Sequence, residues 1–238
     1  GMVDRQVQNP VLAMGGALRM KKLFQAIRKG DLDEVRRLLE QKPSLVNCTA
    51  KQPPKKDDGQ SPLQVAVKTH QFAIANELLD RGADVNFMED PTTCCDDWCM
   101  PVLHIAAMAA VNCCRHNSQF DTGEQVYFTE HSTAEAADES YALLQRLLAM
   151  GADVNACESR GTMLAERVCR SAADLLPQYH WNDDTVALTA VVTPEWRADL
   201  GRIFTLLRRY GTNFSGAEVQ HYLEKPNHPL VPFLRTLP

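Results

Sequence analysis

Nowhere in the 238 residues does an apolar run approach 18 residues, so the sequence offers no membrane-spanning helix. It also lacks a Gly-rich phosphate loop, a Gly-x-Ser-x-Gly elbow and a His-Glu-x-x-His pair. The local signatures of nucleotide chemistry, acyl transfer and zinc-assisted hydrolysis are therefore missing. Met2 to Arg19 shows no signal-peptide apolar core with a cleavage pattern, and Gly1 ahead of Met2 reads as a scar of tag removal. A cytoplasmic chain is the expectation. Basic residues are few in the middle: Asp57 to Glu139 holds fifteen acids and three bases, net −12. That disfavours a phosphate-tracking surface, so no nucleic-acid partner is expected, and it favours a basic partner segment if the middle carries the site. The preceding stretch, Met20 to Lys56, has the opposite balance, ten Lys or Arg against four acids.

What is present is repetition. Gly-Ala-Asp-Val-Asn occurs at Gly82 to Asn86 and again at Gly151 to Asn155, each time after a Leu-Leu pair, Leu78-Leu79 and Leu147-Leu148. The glycines stand where a helix ends in a left-handed residue, a conformation that costs a residue with a Cβ roughly 1 kcal/mol or more. At the other end of the unit, Asp58-Gly59-Gln60-Ser61-Pro62-Leu63-Gln64-Val65-Ala66 reads as a turn, a Ser N-cap, Pro at the first helical position and an apolar inner face. A unit that cannot bury its own apolar face must stack on a neighbour, and stacks present extended binding surfaces.

These residues resemble the ankyrin repeat, two short antiparallel helices over about 33 residues bounded by Asp-Gly-x-Thr-Pro-Leu-His-x-Ala-Ala and Leu-Leu-x-x-Gly-Ala-Asp-Val-Asn. Asp58 to Asn86 follows the pattern closely. A third repeat matches at Leu103-His104-Ile105-Ala106-Ala107 and at Leu147 to Asn155, with Pro101-Val102 in place of Thr-Pro. A first repeat runs from Leu23 to Asn47, and a degenerate fourth starts at Gly161-Thr162-Met163-Leu164 and ends near Ile203, Leu207 and Gly211.

Spacing predicts insertions. Leu63 precedes Leu78 by 15 residues, whereas Leu103 precedes Leu147 by 44 and Leu164 precedes Leu207 by 43. The excess falls at about 115–138 and 170–193. Long structureless loops are uncommon in compact domains, so the excess is expected to lengthen helices. Ser132-Thr133-Ala134-Glu135 reads as a capping box and Thr193-Pro194-Glu195-Trp196 as a second start. Neighbouring insertions should touch, with Phe120, Tyr127 and Phe128 of one against Tyr179, Trp181 and Val186 of the other; the alternative is that this apolar surface is left open as a partner site.

Cys94, Cys95, Cys99 and His104 are the residues that could converge on a metal, since Cys113 lies about 20 Å further along the helix that follows. His104 also occupies the family's Thr-Pro-Leu-His position, where the resemblance implies a bond to backbone. No metal, cofactor or enzymatic activity is expected, and Tyr179 to Asp184 reads as aromatic packing.

The sequence reading is an all-α ankyrin-type solenoid: an extension over 1–19, one repeat domain over 20–238, and a cap starting at Ser215 to Leu223 with Pro226, Pro229 and Pro232 beyond. It is expected to be a monomeric protein-recognition module, an adaptor, scaffold or inhibitor; the alternative is a metal-stabilised or catalytic variant of the stack. The resemblance places the partner on a concave face of fingers and first helices. Position by position that gives Asp57, Asp58, Gln60, Lys68 and Thr69, then Asp97, Trp98, Met100, Met108 and Ala109, with Trp98 either the anchor or packed across the next finger.

Overall fold

Helices begin and end where the local chemistry directs. In the computed structural model, which describes residues 10–94 and 96–235 and no side chains over 10–13, Ser61 Oγ accepts the Gln64 amide at 3.2 Å. The Gln64 side chain in turn accepts the Ser61 amide at 2.9 Å, closing a capping box ahead of Pro62. The stops are Schellman turns. Gly82, Gly151 and Gly211 have φ of 89°, 93° and 85°, and the next amide bonds back at 3.0 Å to Leu78, Leu147 and Leu207 respectively. The expectations for Gly1, Met2 and Cys95 fall outside the described residues.

The described residues form two compact bodies, one holding those up to Asp84 with those of 89–97, the other Val85–Met88 with those from Trp98 to Arg235. In the first, α1 (Pro10–Lys29) pairs with α2 (Leu32–Gln41), and α3 (Pro62–Lys68) with α4 (Phe72–Asp80). Helix α1 stacks on α3 and α2 on α4, burying Leu23, Ile27, Leu38, Leu63, Ile74 and Leu78. Each pair turns on one left-handed residue, Gly30 in the first and His70, with φ of 59°, in the second. Helix α1 starts at Pro10, well ahead of Met20.

In the second body, α5 (Val102–Asn112) packs on α6 (Ala134–Ala149) and α7 (Leu164–Leu175), while α8 (Pro194–Arg209) packs on α6 and α9 (Ala217–Leu223) on α7. The short α10 (Val231–Leu234) closes on α8 and α9. Leu103, Leu143, Leu147, Leu164, Trp196 and Phe204 are fully buried here.

The long connections lengthen the helices only in part: α6 and α8 run 16 residues each against 9 in α4, and the remainder of each connection carries a hairpin. Between α5 and α6 stands an antiparallel hairpin, β1 (Asn117–Asp121) with β2 (Val126–Glu130), in register Phe120 opposite Tyr127. Between α7 and α8 a smaller hairpin pairs β3 (Tyr179–His180) with β4 (Thr185–Val186). Val126-Tyr127-Phe128-Thr129 is rich in β-branched and aromatic residues, and Asp121 Oδ1 holds the Gly123 amide at 2.7 Å in the turn. Helix α6 therefore starts later than the Ser132 reading required. Thr133 is its N-cap, accepting the Ala136 amide at 3.1 Å, while Ser132 Oγ donates to the Cys113 carbonyl at 2.6 Å. Thr193 caps α8 as its sequence suggests, accepting the Trp196 amide at 3.2 Å.

The two segments meet, but through backbone. Gln119 N donates to Thr189 O at 2.7 Å, and the Asn117 amide group donates to and accepts from the Val191 backbone at 2.7 and 2.9 Å. The expected aromatic contact does not form. Phe120, Tyr127 and Phe128 are exposed, whereas Trp181 lies flat on His221, ring centroids 4.5 Å apart, and Tyr179 packs on His228. The C-terminal segment offers the closer apolar surface.

Candidate functional site

The asparagine that ends each repeat carries a structural task. Asn47 Nδ2 donates to Gly82 O at 3.1 Å and its Oδ1 accepts the Asp84 amide at 2.9 Å. Asn86 repeats both bonds with Gly151 O and the Asp153 amide, at 3.2 and 2.8 Å. Each amide side chain thus stitches one turn to the next and sets the spacing from which the finger loops project.

In the first body the finger loop closes over a buried carboxylate. Asp57 has no exposed surface; Arg28 from α1 grips it through two nitrogens, Nε at 2.5 Å, and Lys68 from α3 reaches it at 2.6 Å. Burial alone would raise this carboxyl's pKa, but the bonds from Arg28 and Lys68 outweigh it and hold it below the usual range. Asp57 is therefore no partner contact: its acceptors are consumed by the loop's own anchoring. Lys68 also donates to the Lys56 carbonyl at 2.7 Å and to Gln60 at 2.5 Å, and Thr69 bonds back to Val65 O at 2.7 Å. Lys68, Gln60, Asp58 and Thr69 retain partial exposure.

Beside this anchor lies a cavity of about 650 Å³ between the face of α1 that carries Gly16, Met20 and Phe24 and the finger backbone around Ala50 and Pro53. Lys21, Lys42 and Lys51 stand at its wall, and none forms an ion pair among the described residues. The floor is apolar and the rim cationic.

In the second body the buried carboxylate is Glu158. It accepts from Arg167 at 2.8 and 2.6 Å, from the Trp98 indole at 2.9 Å, and lies 2.8 Å from His104 Nδ1. Burial opposes its ionisation, yet the bonds from Arg167, His104 and Trp98 prevail and pull its pKa from 4.5 to about 2. His104 Nε2 meets the Ala156 carbonyl at 3.0 Å, so the backbone bond implied by the resemblance is present and Glu158 takes the other nitrogen. Trp98 is 39% exposed, with the Arg167 guanidinium 5.1 Å from its ring centroid. Asp97, the last residue of the first body, is exposed; in the second body Met100 and Met108 are half-buried, but Ala109 is 3% exposed. Helix α5 is covered on nearly every side, so Ala109 is core and leaves the set of contact residues.

Glu158 went unread in the sequence although a signal exists. The repeat extends past the pentapeptide as Asp-Val-Asn-x-x-Glu, giving Glu89 and Glu158. Glu89 is equally buried and takes a hydrogen bond from Gln64, which holds in α3 the place His104 holds in α5. Among the described residues no three His, Cys, Asp or Glu are grouped to hold a metal, and no helix is long and apolar enough to cross a membrane.

Paired helices stacked by repeated turn chemistry, with fingers anchored on buried carboxylates, define a helical-repeat scaffold whose exposed loops are available for recognition. Residues 11–89, about a third of the chain, match the family model described as ankyrin repeats (3 copies). Ankyrin repeats are generally protein-protein interaction modules and typically non-catalytic. No curated protein matches the chain.

Proposed function

We infer that this chain is a cytoplasmic adaptor, scaffold or inhibitor that seats a partner protein in the groove between finger loops and first helices. The observation that carries this reading is the cavity of about 650 Å³ beside α1 in the first body. Its apolar floor suits one buried side chain, and its lysine rim suits acidic residues on either side of it. Asp58, Gln60, Lys68 and Thr69 in the same body belong to the proposed surface. Exposed Asp97 belongs to it as well, while Trp98, Met100 and Met108 form a separate candidate surface in the second body. On this reading the hairpin segments are insertions within the third and fourth repeats, and α9 with α10 is the C-terminal cap.

The test is differential affinity capture from the native host. A protein retained by the parent should be lost with Met20→Arg, which fills the cavity with charge, and weakened with Lys42→Glu or Lys51→Glu. Retention by all three variants would refute the cavity as the seat.

A further inference from the structure

The β1–β2 hairpin has an unprotected edge. Thr122 N bonds to Gln125 O and His131 N to His116 O, which fixes the ladder's phase so that Phe120 and Tyr127 exchange bonds. The amides and carbonyls of Gln119 and Phe128 therefore point away from the partner strand. On β1 that outer edge is tied down by the bond from Gln119 to Thr189. On β2 the outward backbone groups of Val126, Phe128 and Glu130 have no hydrogen-bond partner among the described residues.

Natural edges are usually blunted by lysine, proline or a bulge. This one has none of them: the register is regular throughout and no Lys or Arg occurs between Arg115 and Arg146. Phe120 is 68% exposed and Val126, Tyr127 and Phe128 about half exposed, so both faces of the hairpin offer apolar contacts beside the open edge. The hairpin's charges are all acidic, Asp121, Glu124 and Glu130.

We propose that β2 is a docking edge for an extended, basic segment of a partner protein, which adds as a third strand and alternates apolar side chains with lysine or arginine. Strand addition takes its affinity from main-chain bonds and its specificity from the alternating side chains. Charge decides the occupant. A second copy of this chain would bring three acids against three, whereas a basic segment neutralises them. This site is separate from the cavity beside α1 and stands or falls independently of it.

The probe is a fluorescein-labelled heptapeptide of alternating lysine and valine, followed by anisotropy, with alternating glutamate and valine as control. The lysine peptide should bind the parent and protect the Val126, Phe128 and Glu130 amides from exchange. Phe128→Pro removes an outward N–H that the hairpin does not use, and should weaken binding by about tenfold or more while leaving the melting temperature in place. Glu130→Lys should weaken it as well and keeps the test valid should the proline variant misfold. No binding, equal binding of both peptides, or binding indifferent to these substitutions would overturn the proposal. So would a parent that sediments as a dimer through this edge.

Discussion

The two bodies bury a carboxylate at the same point of the repeat and balance it differently. Glu89 answers to Gln64, a neutral donor, whereas Glu158 gathers Arg167, His104 and Trp98. The position is fixed by the turn, three residues beyond the stitching asparagine, and the donors are free to vary. Connectors show the same division. Single left-handed residues, Gly30 and His70, suffice in the first body, while whole hairpins occupy the corresponding places in the second. Stacking depends on the glycine turns and the asparagine stitches, so the opposite ends of the helices can carry other surfaces.

The largest expected effect separates the two carboxylates. Glu158→Ala strands buried Arg167 and should cost about 3 to 5 kcal/mol, against about 1 to 2 for Glu89→Ala, read from urea midpoints. Equal costs would erase the distinction. Protonation should trace the same difference. Glu158 has its folded pKa depressed, so its contribution is complete above its usual 4.5 and is lost as pH falls towards about 2. That amounts to roughly 3 kcal/mol, and the acid-induced loss should flatten in the Glu158→Ala variant. An unchanged slope of stability against pH would assign the acid sensitivity elsewhere.

Next come the turns. Gly82→Val or Gly151→Val should destabilise by about 1 to 3 kcal/mol, because a β-branched residue resists positive φ although nothing crowds the added Cβ. His70→Gly should instead be neutral or stabilise by up to about 1 kcal/mol, since glycine accepts the conformation His70 is held in. A marked loss there would mean that the imidazole's packing on Phe72 dominates the turn. The smallest effect concerns the hairpin. Replacing 117–130 by a glycine-rich turn should raise hydrogen exchange at Val191, whose amide donates to Asn117, and leave Trp181, stacked on His221, as protected as before. Deprotection at Trp181 would show that the hairpin supports that cluster.

Much of this was legible in the sequence. The glycine stops, the Ser61 start and the Leu-Leu helix ends are local chemistry, and each stands where the pentapeptide placed it. The hairpins were missed because a preference against long loops was answered with helix, although Asp121-Thr122-Gly123 ahead of Val-Tyr-Phe-Thr carries a turn and a strand signature. Asp57 read as an exposed finger residue because its partner Arg28 lies on another helix, 29 positions earlier. Ala109 failed for a similar reason: which face of α5 is covered depends on α6, α7 and α8, and no local pattern states it. The cavity beside α1 arises from a helix that starts ahead of the repeat consensus.

The central claim, that the chain recognises a partner through the groove of its first body, is tested most directly by hydrogen exchange with and without the captured partner. Protection over Met20 to Gln25 and over residues 50–54, with little change in α4, is the predicted result. An unchanged groove in the bound state, with protection confined to the helix faces opposite it, would contradict the account.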